Sequence, residues 1–375
     1  MKRIGNIYPI LISDENLKMA IEEVNRTHRW NPRHRPNRTV AWVEQDPDAR
    51  VRELRQIIEN GFAPAPAALK RRWDKSAGKW RDIHEPKLWP DQYIHHALIQ
   101  AIQPVLMRGM DPFCCGSIRG RGIHYGMKAL KKWNRNDRKG TKWCAELDIH
   151  HFYDSLSPTV VMARMRVLIK DRRVLDLVER VTRDGIQIGS YCSQWFANTV
   201  LQPLDHALRE SGIRVKHYLR YMDNFTLFAS SKRALDRAIR VVNDWLLAHG
   251  LTLKGNWQKF PTADRLPTAL GYRYGRGYTL LRKRNLLRLG RQLRNCYRKW
   301  RRGAAIPLSL AIGLLSRLGQ LRHCRSTKLY ARMVKPQTQR RLKAVVRAWW
   351  RKERTRWTIS LAAQPMTAWR RRPCL

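Results

Sequence analysis

The sequence is short of acid. Of its 375 residues only 29 are Asp or Glu against 75 Lys or Arg, a formal charge of +46. No metabolite-sized anion needs a field of that size, so the expected partner is a polyanion, nucleic acid first. Acid is scarcest toward the end: from Arg265 to Leu375 Glu353 stands alone among thirty Lys and Arg, which puts +29 of the +46 there. Cysteine is sparse too. Seven are scattered at 114, 115, 144, 192, 296, 324 and 374 with no Cys-x-x-Cys spacing, which indicates neither a disulfide framework nor a zinc site. No apolar run approaches the roughly 18 residues of a membrane helix. Met1-Lys2-Arg3-Ile4-Gly5-Asn6 lacks the apolar segment of a signal peptide, so a reduced, cytoplasmic, membrane-free setting is expected. Apolar residues are plentiful: 43% hydrophobic, with 15 Trp and 12 Tyr, is too much for a disordered basic tail and enough for two or three packed modules.

Periodicity gives the organisation. Ser13-Asp14-Glu15 is an N-cap before Leu17, Ala20, Ile21 and Val24 on one helix face, and the prolines between Trp30 and Arg38 break it. A second helix is predicted over Asp48 to Asn60, then a basic segment over Lys70 to Arg81, then a helix between Pro90 and Met107. The middle changes character: a strand at Lys142 to Ile149, one helix over Ser193 to Leu208, a hairpin at His217 to Ala229, a helix from Lys232 to His249, and a strand at Leu251-Thr252-Leu253. This β-α-β-β-α-β order describes a ferredoxin-like sheet. Beyond Gly277 the chain is helical, basic and Trp-rich, with a break at Pro307.

Two acids stand in apolar strand surroundings, Asp148 in Leu147-Asp148-Ile149 and Asp223 in Tyr221-Met222-Asp223-Asn224-Phe225. A buried carboxylate is costly unless it is paired or bound to metal. Meeting on adjacent strands, the two would offer hard oxygen ligands to divalent cations and support metal-assisted phosphoryl transfer. Each could equally accept a bond from an Arg or a turn amide.

With their surroundings, these residues resemble a reverse transcriptase, and within that class the prokaryotic enzymes of diversity-generating retroelements and the defence-associated reverse transcriptases. Leu147 to Leu156 matches the first catalytic aspartate motif, and Tyr221-Met222-Asp223-Asn224 the hairpin that normally reads Tyr-x-Asp-Asp. Ile188-Gly189-Ser190-Tyr191-Cys192-Ser193-Gln194, followed by Ala197-Asn198, is similar to the templating-base motif. Arg119-Gly120-Arg121-Gly122-Ile123-His124 resembles the fingers turn, Lys79-x-Arg81 the basic pair on the incoming triphosphate, and Leu270-Gly271-Tyr272 the primer grip. The motifs run collinearly over roughly residues 10 to 335.

The resemblance implies an α+β right-hand polymerase. N-terminal helices and fingers occupy 1–140, a ferredoxin-like palm 141–277, a helical thumb 278–335 and a basic Trp/Arg-rich helical C-terminal extension 336–375. It implies an RNA-directed DNA polymerase making cDNA from a dedicated non-coding RNA by two-metal nucleotidyl transfer, in antiphage defence or a diversity-generating retroelement. Asp148 and Asp223 would be catalytic and hold two Mg²⁺, replaceable by Mn²⁺, with the Ile149 carbonyl. Asn224, standing where the family has its second aspartate, is a further candidate ligand, and so is Glu146, on the face of Asp148 by strand alternation.

Lys79, Arg81, Tyr153, Gly189, Ser193 and Gln194 would contact the dNTP. Tyr153 would exclude a 2′-hydroxyl, or else be a core tyrosine; Gly189 would be a close nucleic-acid approach, or else an ordinary turn glycine. Arg119, Arg121, Arg282, Lys283, Arg284, Arg322, Arg325, Arg351 and Arg371 would bind nucleic acid, an RNA–DNA hybrid included. The Trp residues of the tail would stack on RNA, or pack on the thumb or on a protein partner or second copy. Two functions compete: template-independent or protein-primed DNA synthesis on the same fold, and a non-catalytic, maturase-like RNA-binding module.

Overall fold

The computed structural model describes residues 2–29, 37–74, 78–210, 212 and 215–362, and only the backbone of Lys79, Glu210 and 353–362. Helices α1 (Tyr8–Leu11) and α2 (Asp14–His28) open the chain. The Ser13 hydroxyl accepts the Asn16 amide at 3.3 Å, and Asp14 and Glu15 sit at the positive end of the helix dipole. The break expected between Trp30 and Arg38 lies largely outside the described residues. α3 (Arg38–Gln45) is followed by α4 (Pro47–Glu59), capped by Asp46 with Pro47 where a missing N–H is harmless. The basic segment at Lys70 to Arg81 forms an antiparallel hairpin, β1 (Ala68–Asp74) and β2 (Lys79–Glu85). A π-helical turn (Leu88–Gln92) leads into the buried α5 (Tyr93–Met107), then α6 (Ile123–Asn136).

β3 (Trp143–Asp148), α7 (Phe152–Ser155), α8 (Pro158–Leu168), α9 (Arg172–Thr182), α10 (Tyr191–Val200), α11 (Gln202–Glu210), β4 (Val215–Tyr221), β5 (Asn224–Ala229), α12 (Lys232–Ala248) and β6 (Gln258–Pro261) follow. The sheet order is β4-β5-β3-β6 with every neighbour antiparallel, the order of a ferredoxin-like sheet. Ala145 and Leu147 of β3 point into the core with Phe225 and Leu227 of β5, which places Glu146 and Asp148 on the opposite face.

Two expectations are corrected. The fourth strand is β6, not Leu251–Leu253, which makes only an isolated bridge to Ile149 before the chain turns at Gly255. The helix expected over Ser193–Leu208 is two, parted at Leu201, because Pro203 in the first turn of α11 has no amide to continue the α10 ladder.

The chain divides into two compact units, Met1–Ala129 with Asp137–Arg265, and Leu130–Asn136 with Leu266–Leu375. In the first, one apolar core runs from Leu17, Leu54 and Leu98 of the N-terminal helices to Leu147 and Phe225 of the sheet and Leu235 and Val242 of α12. The second holds an unanticipated three-stranded sheet of β7 (Thr268–Ala269), β8 (Tyr272–Tyr274) and β9 (Thr279–Leu281). Helices α13 (Lys283–Arg301), α14 (Leu308–Leu321), α15 (Thr327–Met333) and α16 (Thr338–Ala362) complete it. Leu342 of α16 is fully buried and Arg341 lies 4.0 Å over the Trp300 ring, so the start of the tail packs on its own unit. Among the described residues no helix is long and apolar enough to cross a membrane. The fold is α+β, of the right-hand polymerase class.

Candidate active site

Asp148 ends β3 and Asp223 lies in the two-residue turn joining β4 to β5. The ladder brings them together: Asp148 is opposite Asn224, and the Ile149 amide donates to the Asp223 carbonyl at 3.1 Å. The carboxyl groups are within hydrogen-bonding reach. Burial, and then the charge of Asp148, hold the Asp223 carboxyl above the usual carboxylate range. Asn224 Nδ2 donates to Asp223 Oδ1 at 2.8 Å, so this side chain steadies the carboxylate. The Lys254 ammonium lies 3.2 Å from Asp148 Oδ2.

Two close carboxylates with an ammonium drawn onto one of them mark a place that demands positive charge, and their hard oxygens with the Ile149 carbonyl suit Mg²⁺ or Mn²⁺. Among the described residues no set of three His, Cys, Asp or Glu gathers to hold a metal. Glu146 shares the face of Asp148, and its carboxylate lies 3.6 Å from the Arg265 guanidinium.

Sequence reasoning missed what holds the turn. Arg220, at 0% exposure, donates to both oxygens of Asp205 (Nε–Oδ1 2.7 Å, Nη2–Oδ2 2.6 Å). Its remaining donors reach Asn198 Oδ1 at 2.9 Å and the carbonyl of Met222, the residue before Asp223, at 3.2 Å. Tyr218 also donates to Asp205. Met222 has φ +55, and a Cβ on Gly116 would come within 2.6 Å of its sulfur, so that glycine makes room for the turn. A signal existed: Asp205 falls on the apolar face of α11 between Leu201, Leu204 and Leu208, where an acid must have a partner.

The other predicted residues divide. Tyr153 is half-buried beside the pair; burial first, then Asp223 and Tyr221, raise its phenol pKa, leaving a neutral ring. Gly189 (φ +119) is adjoined by protein: a Cβ there would overlap the His84 carbonyl of β2, and the His84 amide donates to the Ile188 carbonyl at 2.8 Å. The glycine thus admits the hairpin strand. Ser193 is turned into the core at 4% exposure, whereas Gln194 is exposed. Arg81 is paired with Asp74 at 2.7 Å; the Lys79 side chain lies outside the described residues. Arg119 is exposed, and Arg121 donates to the Asp111 carbonyl at 3.1 Å.

In the second unit Leu270 (φ +53) and Gly271 (φ +85) form the β7–β8 turn, and Tyr272 donates to the Gln320 carbonyl at 3.1 Å. Two successive positive φ values mark a type I′ turn, which costs a leucine strain. Arg282, Lys283 and Arg284, with Leu287, Arg288 and Arg291, line an open groove of about 520 Å³. Arg322, Arg325 and Arg351 are exposed, and Arg371 lies outside the described residues.

Among solved structures, the chain is similar to an apo telomerase from Candida tropicalis truncated from its C-terminal domain. The identity is 12% and the TM-score 0.41, over 58% of this chain and 56% of that one, little more than half its length. Among curated proteins it is 22% identical to Protein YkfC of Escherichia coli (strain K12), over 61% of this chain and 70% of the relative. Residues 72–274, which include Asp148, Asp223 and the sheet that joins them, match the family described as Reverse transcriptase (RNA-dependent DNA polymerase), and the chain belongs to that family.

Proposed function

We propose that this protein copies a dedicated non-coding RNA into cDNA, in antiphage defence or a diversity-generating retroelement. The observation that carries the catalytic part is the meeting of Asp148 and Asp223 at the end of a ferredoxin-like sheet, cross-linked by the Ile149–Asp223 backbone bond. Asp148, Asp223 and the Ile149 carbonyl would hold Mg²⁺, with Asn224 orienting Asp223. Divalent cations at such a pair neutralise charge on the attacking and leaving oxygens of an in-line displacement.

The chain's own residues supply the rest. Arg81 would exchange Asp74 for the triphosphate, together with Lys79, and the Tyr153 ring would lie under the incoming sugar and reject a 2′-hydroxyl. Gln194, exposed at the start of α10, is the motif residue free to meet the nucleotide, and Leu270-Gly271-Tyr272 would fix the primer end. In this assignment the fingers extend to about 140, the palm to 277 and the thumb to 335. The basic groove of α13, with Arg119, Arg322, Arg325 and the tail, would track phosphates of an RNA–DNA hybrid and of the template RNA without reading sequence.

The test is to purify the protein with its bound nucleic acid, add dNTPs and Mg²⁺, and sequence what is made. A product complementary to the bound RNA supports the proposal. A homopolymer or simple repeat supports template-independent synthesis instead, and no product, with or without Asp148→Ala, supports a non-catalytic RNA-binding module.

A further inference from the structure

The β1–β2 hairpin has two unlike faces. Its register sets Trp73 opposite Trp80, Arg71 opposite Asp82 and Leu69 opposite His84, all on one face. The other face carries Arg81, paired with Asp74, and Ile83, which lies against Gly189. That second face is engaged within the fold. The first is bare: Leu69, Trp73 and Trp80 are 63%, 47% and 55% exposed. The two indoles meet edge to face with centroids 5.4 Å apart, and the Arg71 guanidinium carbon lies 5.8 Å from the Trp80 centroid.

We infer that this face is a platform for an unpaired nucleic-acid strand. The inference rests on the polymerase proposal and extends it to a contact outside the catalytic turn. An indole face stacks on any base, but a duplex has its base faces already covered, so only an unpaired strand can use it. Arg71, on the same face and 3.8 Å from the exposed Asp82 carboxylate, would exchange it for a phosphate, and the chain's +46 favours a polyanion over an apolar protein surface. The platform is held in place: β2 is bonded at His84 to the loop before α10, and Trp80 lies four residues, about 13 Å, along the strand from that bond.

The test compares one primer–template duplex with and without a single-stranded template extension of about ten nucleotides, long enough to cover several stacking sites. Binding is measured by fluorescence anisotropy for the wild type, Trp73→Ala/Trp80→Ala and Trp73→Phe/Trp80→Phe. Nucleotide addition on the duplex with a short overhang is followed in parallel. The wild type is expected to prefer the extended substrate by about tenfold or more, the order of one stacked base. The alanine pair should lose that preference, the phenylalanine pair should keep it, and addition on the short overhang should stay unchanged in all three. Equal binding of both substrates by the wild type, or an unchanged preference in the alanine pair, overturns the platform. So does a change of oligomeric state in the alanine pair with strand affinity intact, which assigns the face to a second copy. Absence of nucleotide addition throughout overturns the polymerase proposal instead, and the binding comparison still decides the platform.

Discussion

The Arg220 guanidinium grips the Asp205 carboxylate through two parallel bonds in a fully buried site, while a third donor reaches the carbonyl just ahead of Asp223. Removing one partner strands a buried charge, which typically costs about 3–5 kcal/mol, whereas replacing both with apolar groups of similar size costs far less. Arg220→Met and Asp205→Leu should each lower the stability read from urea melts by that amount, with much of it recovered in the double variant. Nucleotide addition should fall in all three, because the Met222 carbonyl loses its anchor where Arg220 is replaced, and the anchor loses the carboxylate that orients it where only Asp205 is. Additive losses in the double variant would contradict the pairing.

The Asp223 carboxyl titrates above the ordinary aspartate range in cation-free protein, because of burial and then Asp148. A folded pKa above the unfolded one gives stability that is present at low pH and lost as pH rises through the folded pKa, so at neutral pH the ionised pair is a cost. Asp223→Asn should therefore be at least as stable as wild type at neutral pH without divalent cations, and inactive. Melting temperature against pH in cation-free buffer and single-nucleotide addition check both.

Gly189 should not tolerate a side chain. Gly189→Ala places a Cβ on the His84 carbonyl at a φ of +119, and a cost of about 1–3 kcal/mol is expected with earlier proteolysis of the β1–β2 hairpin. Gly122→Ala, where a Cβ meets nothing within 4 Å, is the matched control and should be silent.

Tyr153→Ala should admit ribonucleotides. If the ring rejects the 2′-hydroxyl, the ratio of kcat/KM for dNTP over rNTP should fall by about tenfold or more, with dNTP addition retained. An unchanged ratio with a lowered melting temperature would make Tyr153 a core residue packed on Phe152, whose ring centroid is 5.7 Å away.

The meeting of Asp148 and Asp223 was legible because its information is local: an acid inside an apolar strand and an acid in a hairpin turn announce themselves within five residues each. The sheet order followed from the same elements. Arg220 stayed hidden as one of 75 cations, since only tertiary packing shows that its partners are Asp205 and Asn198. The β1–β2 hairpin was masked by its charge, and β6 was misplaced because Leu251–Leu253 carries a better strand pattern than Gln258–Pro261. The role of Gly189 was ambiguous for a similar reason: the sequence shows that a Cβ is missing but not that His84 needs the space.

The most direct test of the Asp148–Asp223 centre is single-nucleotide addition of a dNTP to a DNA primer on a defined RNA template with Mg²⁺, for wild type, Asp148→Ala and Asp223→Ala. Extension by the wild type, with loss of roughly a thousandfold or more in both variants at unchanged primer–template affinity, is the expected result, the scale of removing a principal electrostatic group. Extension that survives either substitution, or wild-type protein that binds the primer–template and adds nothing, would contradict it.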